Sequence, residues 1–322
     1  MINLKSSKIT FCPGPGAVIN DWFTHQNEYF GRGDTEYSSL KRKTLNWIKK
    51  KSGQDNVIPV SGSGTTAAIV ALNSFLTGKV LIINTGYYAK RWINYVKNSK
   101  LPIKSDVVSY EQFILNKNFK KKYNWIIFVY VETANCRKYD IQKVSKIAKK
   151  FKAKIMMDAT ASIGLENNHK LADVVFFSSC KGLLGPTGLG FVAFKNKIKY
   201  KNLKDFWFNL ETHKNSKYTL GYNCIASLHG VKKNHELYKR RILYASRLLR
   251  KISVNKFLIP KIGVPLKFFL KSKIKSNQNL IFYKPRENPG YEVIFLLGII
   301  KYNKKKIKEV LDKIIIKNLI IK

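Results

Sequence analysis

Cysteine is scarce in this chain of 322 residues, with only Cys12, Cys136, Cys180 and Cys224, all far apart. No pair has CxxC or Cys/His spacing of a zinc site, so reduced thiols are expected. Histidine is equally thin: His25, His169, His213, His229 and His235 are scattered and form no HExxH arrangement, so no metal site is expected. Long apolar runs are missing as well. Nothing approaches the roughly eighteen residues that span a bilayer, and the opening MINLKSSKITFCPGPG lacks the continuous apolar stretch of a secretory signal. The expectation is a soluble, cytoplasmic protein with no membrane partner. Acids are few, 19 against 60 basic residues, giving a formal net charge of +41. Arginine is also rare, with nine against 51 lysines. Nucleic-acid binding draws on clustered cations, whereas this charge is spread, and the lysine triplets at 49–51, 120–122 and 304–306 flank or sit on helical stretches as solvated faces. With abundant Asn and Ile, the composition resembles an AT-rich coding sequence, and nucleic acid is not the expected partner.

A hydrophobic fraction of 45% and an aromatic fraction of 13% suffice for a substantial core. The length predicts one large α/β domain with a smaller satellite. From about Val57 the chain repeats a short apolar run, a polar or glycine turn and an amphipathic stretch, which reads as βαβ. Expected strands are Val80 to Asn84, Trp125 to Val131, Lys154 to Asp158, Val174 to Ser178 and Gly190 to Phe194. Expected helices are Thr65 to Leu76, Lys90 to Asn98 and Ile141 to Phe151. Near-continuous apolar runs such as WIIFVYV fit a parallel sheet covered on both faces. After about Asn223 comes a long helix, then strand candidates at Asn279 to Tyr283 and Glu292 to Leu296 and a terminal helix near Lys304 to Lys313. This predicts a large domain over residues 1–235 and a small α+β domain over 236–322.

Three segments carry the chemistry. Ser61-Gly62-Ser63-Gly64-Thr65-Thr66 joins a strand to a helix; it is either a flexible cap or an anion cradle, since orphan amides and the helix dipole both favour negative charge there. Asp158 ends the apolar run Ile155-Met156-Met157, where it either caps the next turn or faces a ligand at the strand end. Lys181 follows the apolar run Phe176-Phe177 inside the small-residue turn Ser178-Ser179-Cys180-Lys181-Gly182, followed by further glycines. A P-loop has its lysine after the glycines, so this turn is not one. A lysine held off the surface is a competent Schiff-base nucleophile and proton carrier; a solvated lysine is the alternative.

In this order, with Lys181 23 positions after Asp158, the segments resemble the fold-type I pyridoxal phosphate (PLP) enzymes. CPGPG (Cys12 to Gly16) and RGDTEY (Arg32 to Tyr37) narrow the resemblance to the class V aminotransferases, on the alanine–glyoxylate and 2-aminoethylphosphonate–pyruvate branch. The resemblance runs from about Phe11 to Leu228. It implies a large, mostly parallel seven-stranded sheet domain, a smaller C-terminal domain and PLP as cofactor. It further implies a Schiff base at Lys181, a ring-nitrogen partner in Asp158 and phosphate contacts from Ser63, Gly64 and Thr65. Tyr88 is expected to stack on the ring, with Tyr87 a near rival, and Thr133 to bond the cofactor's phenolic oxygen. Cys180 stands beside the lysine where the branch has Gln or Asn. Thr219 is expected to reach the phosphate across a homodimer interface.

The implied reaction moves an amino group between a small amino compound and a 2-oxo acid. Another PLP reaction, lyase or desulfurase-like, and a non-catalytic polyanion-binding role are the alternatives. A desulfurase needs a cysteine well after the lysine, and none lies beyond Cys224. Asn135-Cys136-Arg137 departs from the family's turn after the central strand. The substrate arginine near the C-terminus has Val293 in its place. A bidentate guanidinium is the best partner for an acidic substrate, and the candidates rank Arg137, Arg32 and Arg286.

Overall fold

The structure, a computed structural model, describes residues 9–14, 17–26, 33–115, 122–135, 137–215, 217–218, 220–252, 258–259, 267–270, 280–286 and 292–320. The chain enters through β1 (Ile9–Phe11) and α1 (Thr35–Ser52). Asp34 caps α1 by accepting from Tyr37 N, Gly53 ends it in the left-handed region, and Lys49, Lys50 and Lys51 sit at the negative end of its dipole. Then follow β2 (Asn56–Ser61), α2 (Gly64–Phe75), β3 (Gly78–Asn84), α3 (Tyr87–Asn98), β4 (Ile103–Ser109), α4 (Tyr110–Leu115) and β5 (Trp125–Val129). A small hairpin, β6 (Val131–Glu132) and β7 (Arg137–Lys138), precedes α5 (Ile141–Lys150), β8 (Lys154–Asp158), β9 (Val174–Ser178) and β10 (Leu189–Phe194). The rest comprises α6 (Leu210–Lys214), α7 (Tyr222–Ile252), β11 (Leu258–Ile259), β12 (Lys267–Leu270), β13 (Leu280–Phe282), β14 (Glu292–Phe295) and α8 (Lys304–Ile320).

Seven strands form one sheet in the order β2-β10-β9-β8-β5-β3-β4, in which β10 alone runs antiparallel to its neighbours. This bears out the mostly parallel seven-stranded sheet. Side chains alternate faces along a strand, and the core divides accordingly. Ile126, Phe128, Ile155, Met157, Val175 and Phe177 share one apolar cluster with residues of α1, α5 and α7. Trp125, Ile127, Val129, Met156, Val174 and Phe176 share the other with α2 and α3. Asp158 is two residues beyond Met156, so its side chain falls on the α2/α3 face.

The expected run Trp125 to Val131 is split at Tyr130, whose N–H bonds Asp158 O before the chain turns into β6. Helix α3 begins three residues before the expected Lys90, which puts Tyr88 in its first turn. The edge strand β4, half polar, has no counterpart among the expected elements, whereas the lysine triplet at 49–51 falls in the last turn of α1, as the helical reading of that stretch expects. Near the C-terminus β13 pairs in parallel with β1, while β14 pairs with β12.

Phe128 lies in the interior strand β5 with no exposed surface. Phe128→Ala should cost about 3–5 kcal/mol through lost burial and the cavity left behind. The urea unfolding midpoint should fall accordingly, with little change in slope.

Candidate active site

A cavity of about 200 Å³ opens at the carboxyl ends of the parallel strands, where open α/β sheets place their ligands. It is lined by Ser63, Gly64, Thr65, Tyr88, Thr133, Asp158, Cys180 and Lys181. The structure thus brings together eight residues that the sequence placed up to 118 positions apart. Arg91, Trp92, Thr160 and Thr187 join them.

At one end stands the first turn of α2. Ser63 is its N-cap, with Oγ accepting from Thr65 N (3.2 Å) and Thr66 N (3.3 Å), and Thr66 returns the bond in a capping box. This turn approaches β10 closely only because residue 190 is glycine. A Cβ there would lie 2.4 Å from Ser63 O and 2.7 Å from Ala67 Cβ. Arg91 Nη1 donates to Thr65 Oγ1 at 3.3 Å, so a guanidinium stands beside the positive end of the helix. No sequence expectation gave Arg91 a role, although its place one turn after Tyr88 on α3 is a usable signal.

Asp158 is 4% exposed. Its Oδ1 accepts from Thr160 N and its Oδ2 from the Trp92 indole N–H, both at 2.9 Å. Burial pushes its carboxyl above the usual carboxylate range, opposed by the hydrogen bonds from Thr160, the nearby Lys181 charge and the Trp92 bond. The strand-end and turn-capping readings therefore meet in one residue: Asp158 caps the turn and also faces the cavity.

Lys181 Nζ lies 5.2 Å from the centroid of the Tyr88 ring. Tyr88 is itself held, because Glu132, fully buried at the end of β6, accepts from Tyr88 N at 2.8 Å and from Ala134 N at 3.1 Å. A carboxylate at the start of α3 supplies the cap that Gly86 cannot. The turn carrying Lys181 is fixed from two other elements. His235 of α7 bonds Gly182 O at 2.9 Å, and the Trp22 indole donates to Leu184 O at 2.8 Å. Pro13 and Gly14 lie against it. A Cβ on Gly14, whose φ is +145°, would meet Cys180 O at 2.5 Å and Lys181 Cγ at 2.9 Å, which explains the glycine in CPGPG.

A narrow apolar recess adjoins Lys181 and Thr133, walled by Pro13, Ala161, Leu165, Phe295 and Leu297. Val293 is fully buried and paired with Phe269, with no polar group to offer.

Residues 26–212 match the profile of the aminotransferase class-V family. The chain belongs to this family. It is 24% identical over 212 residues to the 2-aminoethylphosphonate–pyruvate transaminase of Vibrio cholerae, covering 60% of this chain and 56% of that protein. It is 25% identical over 209 residues to the bifunctional phosphonoacetaldehyde hydrolase/aminoethylphosphonate transaminase of Clostridioides difficile, covering 58% of this chain and 32% of that protein. The matched part thus spans about half or less of these relatives. The subgroup IV aspartate aminotransferase from Thermus thermophilus shares the fold with a TM-score of 0.80 at 16% identity, over 94% of this chain and 96% of that one. The architecture is therefore that of fold-type I.

Four expected site residues remain: Thr219 and the three candidate substrate arginines, Arg32, Arg137 and Arg286. Arg32 and Thr219 lie outside the described residues. Arg137 is not brought into the cavity. Its Nη1 donates to Glu111 at 2.6 Å and its guanidinium lies over Tyr139 and Tyr110 at 4.8 and 5.5 Å. Asp140, the acid nearest in sequence, is engaged instead in capping α5. Arg286 is exposed and lies over the Tyr87 ring at 5.9 Å. Among the described residues no helix is long and apolar enough to cross a membrane, and no His/Cys/Asp/Glu group is arranged to hold a metal.

Arg137→Ala should change the KM for an acidic substrate by less than about twofold and stability by less than about 1 kcal/mol, because it removes a half-exposed pair outside the cavity. Steady-state kinetics and urea unfolding check this; a tenfold rise in KM would put Arg137 on the substrate.

Proposed function

We propose that this class-V aminotransferase family member is a PLP-dependent aminotransferase, moving an amino group between a small amino compound and a 2-oxo acid, with Lys181 and Asp158 as its catalytic pair. The observation that carries the reading is the meeting of Lys181, Asp158 and the Tyr88 ring in one cavity whose far end is a capped helix N-terminus with Arg91 beside it.

The residues fit the cofactor by the chemistry of each wall. The first turn of α2, with Gly64, Thr65 and Arg91, suits a phosphate dianion. Tyr88 offers an aromatic face, Asp158 a buried carboxylate for a ring nitrogen, and Thr133 and Cys180 border the space between. When bound, PLP supplies an aldehyde that condenses with amines and a pyridinium ring that delocalises charge developing at the substrate carbon. Asp158 holds the proton at the ring nitrogen. Lys181 provides the primary amine and moves a proton at the substrate carbon. Buried Glu132 keeps Tyr88 in place through its backbone N–H.

The named relatives act on an aminophosphonate, which makes that one candidate donor class beside a small amino acid. Where the branch carries an arginine this chain has buried Val293, and the nearby recess is apolar. Among the described residues Arg91 and Lys181 are the cations that line the cavity, which favours a small amino acid with no acidic side chain over an aminophosphonate.

A homodimer completed by Thr219 of a second copy is part of the proposal. Phe206, Trp207 and Phe208 remain 49%, 49% and 37% exposed just before α6, an apolar surface suited to another copy. Trp207 packs on Tyr218, whose hydroxyl accepts from Ser61 N at 3.3 Å, so this surface adjoins the cavity's rim. Sedimentation should give about twice 37.1 kDa, and Trp207→Ser should shift the population towards monomer; a wild-type monomer removes the dimer.

Incubation with PLP should turn the purified protein yellow, and borohydride should fix a pyridoxyl group on Lys181. Lys181→Ala should take up no such label and lose turnover, whereas a label mapped to any other lysine would sink the assignment.

A further inference from the structure

Helix α3 carries Tyr88, Arg91 and Trp92 at positions i, i+3 and i+4, one face of a helix. All three line the cavity. Tyr88 and Arg91 meet its open space, while Trp92 is 3% exposed and its Nε1 donates to Asp158 Oδ2 at 2.9 Å. The other carboxylate oxygen is taken by Thr160 N. The two oxygens of Asp158 are thus tied to different elements, one to the turn after its own strand and one to a helix across the sheet face. The indole is packed in turn, edge-on to Phe176 at 5.4 Å with an interplanar angle of 81°.

An indole N–H is a donor only. A hydroxyl or a water can donate to a carboxylate or accept from a carboxylic acid, and so serves both protonation states. The indole can only donate, and its bond is about twice as strong to the anion. In a site where burial favours the neutral acid, such a partner acts in the opposite direction. The other charged group bearing on Asp158 is Lys181, whose cation also favours the carboxylate.

We infer that Trp92 is a positioning residue: it fixes the rotation of Asp158 and keeps it anionic, so that the proton shared with the cofactor's ring nitrogen stays on the ring. The inference rests on the PLP reading above. It makes α3 a single carrier that sets the ring face through Tyr88 and the ring's protonation through Trp92.

Trp92→Phe removes the donor and keeps an aromatic ring. The probe is PLP labelled with 15N at the ring nitrogen. The wild-type protein should show a pyridinium signal. The variant's signal should move towards neutral pyridine, with Asp158→Asn as the neutral reference, and cleavage of the substrate Cα–H should slow about tenfold or more. A purely packing role for Trp92 lowers stability but leaves the 15N signal at its wild-type position, and that result overturns the inference. Should Trp92→Phe fail to fold, the indole 1H–15N signal of Trp92 must move on Asp158→Asn replacement in the unloaded protein; an unmoved signal also overturns it. A wild-type protein that takes up no PLP sinks the cofactor reading itself, and this inference falls with it, whatever the indole signal shows.

Discussion

Asp158 is a carboxylate at the end of a strand in which it directly follows buried Ile155, Met156 and Met157, and water barely reaches it. An ionised group there is costly unless hydrogen bonds and opposite charge replace its hydration. The elements around the cavity supply both: the turn after β8 through Thr160, α3 through Trp92, and the turn after β9 through Lys181. A fixed, dry carboxylate facing a cavity is suited to holding a proton on a bound ring, which a solvated one is not.

Placing those partners depends on the sheet. Strands β3, β5, β8 and β9 run parallel and end together, so the loops that follow them converge on one cavity. Strand alternation then assigns Met156 and Asp158 to the α2/α3 face, which is why the helix that presents Tyr88 also reaches Asp158. The antiparallel β10 closes the other side. Its Gly190 admits the first turn of α2, bringing the anion-favouring end of that helix against the same space.

A second set of walls adjoins this cavity. The recess beside Lys181 is built from proline, alanine, leucine and phenylalanine, and Val293 is sealed in the core. Arg137 is neutralised by Glu111 and sandwiched near two tyrosines. The recess shares Thr133, Ala161 and Lys181 with the main cavity, so the two spaces are continuous in their walls.

Much was legible in the sequence because it is local. Short apolar runs bounded by turns predicted β8 and β9 residue for residue, and hydroxyl-glycine chemistry marked the cap of α2. The family resemblance, carried by the order of the cup, Asp158 and Lys181 and by the N-terminal motifs, pointed to eight residues that line one cavity. The half-polar edge strand β4 was not legible, since an edge needs less apolar patterning than a buried strand. Nor were the partners of individual polar groups. Arg137 lies four positions from Thr133, yet β7 carries it away to Glu111, whereas Trp92, 66 positions from Asp158, is bonded to it. Sequence spacing determines which face of a helix or strand a side chain occupies. Which other face it meets is decided only when the sheet is assembled, because hydrogen bonds and burial act over a few ångströms and do not depend on separation along the chain.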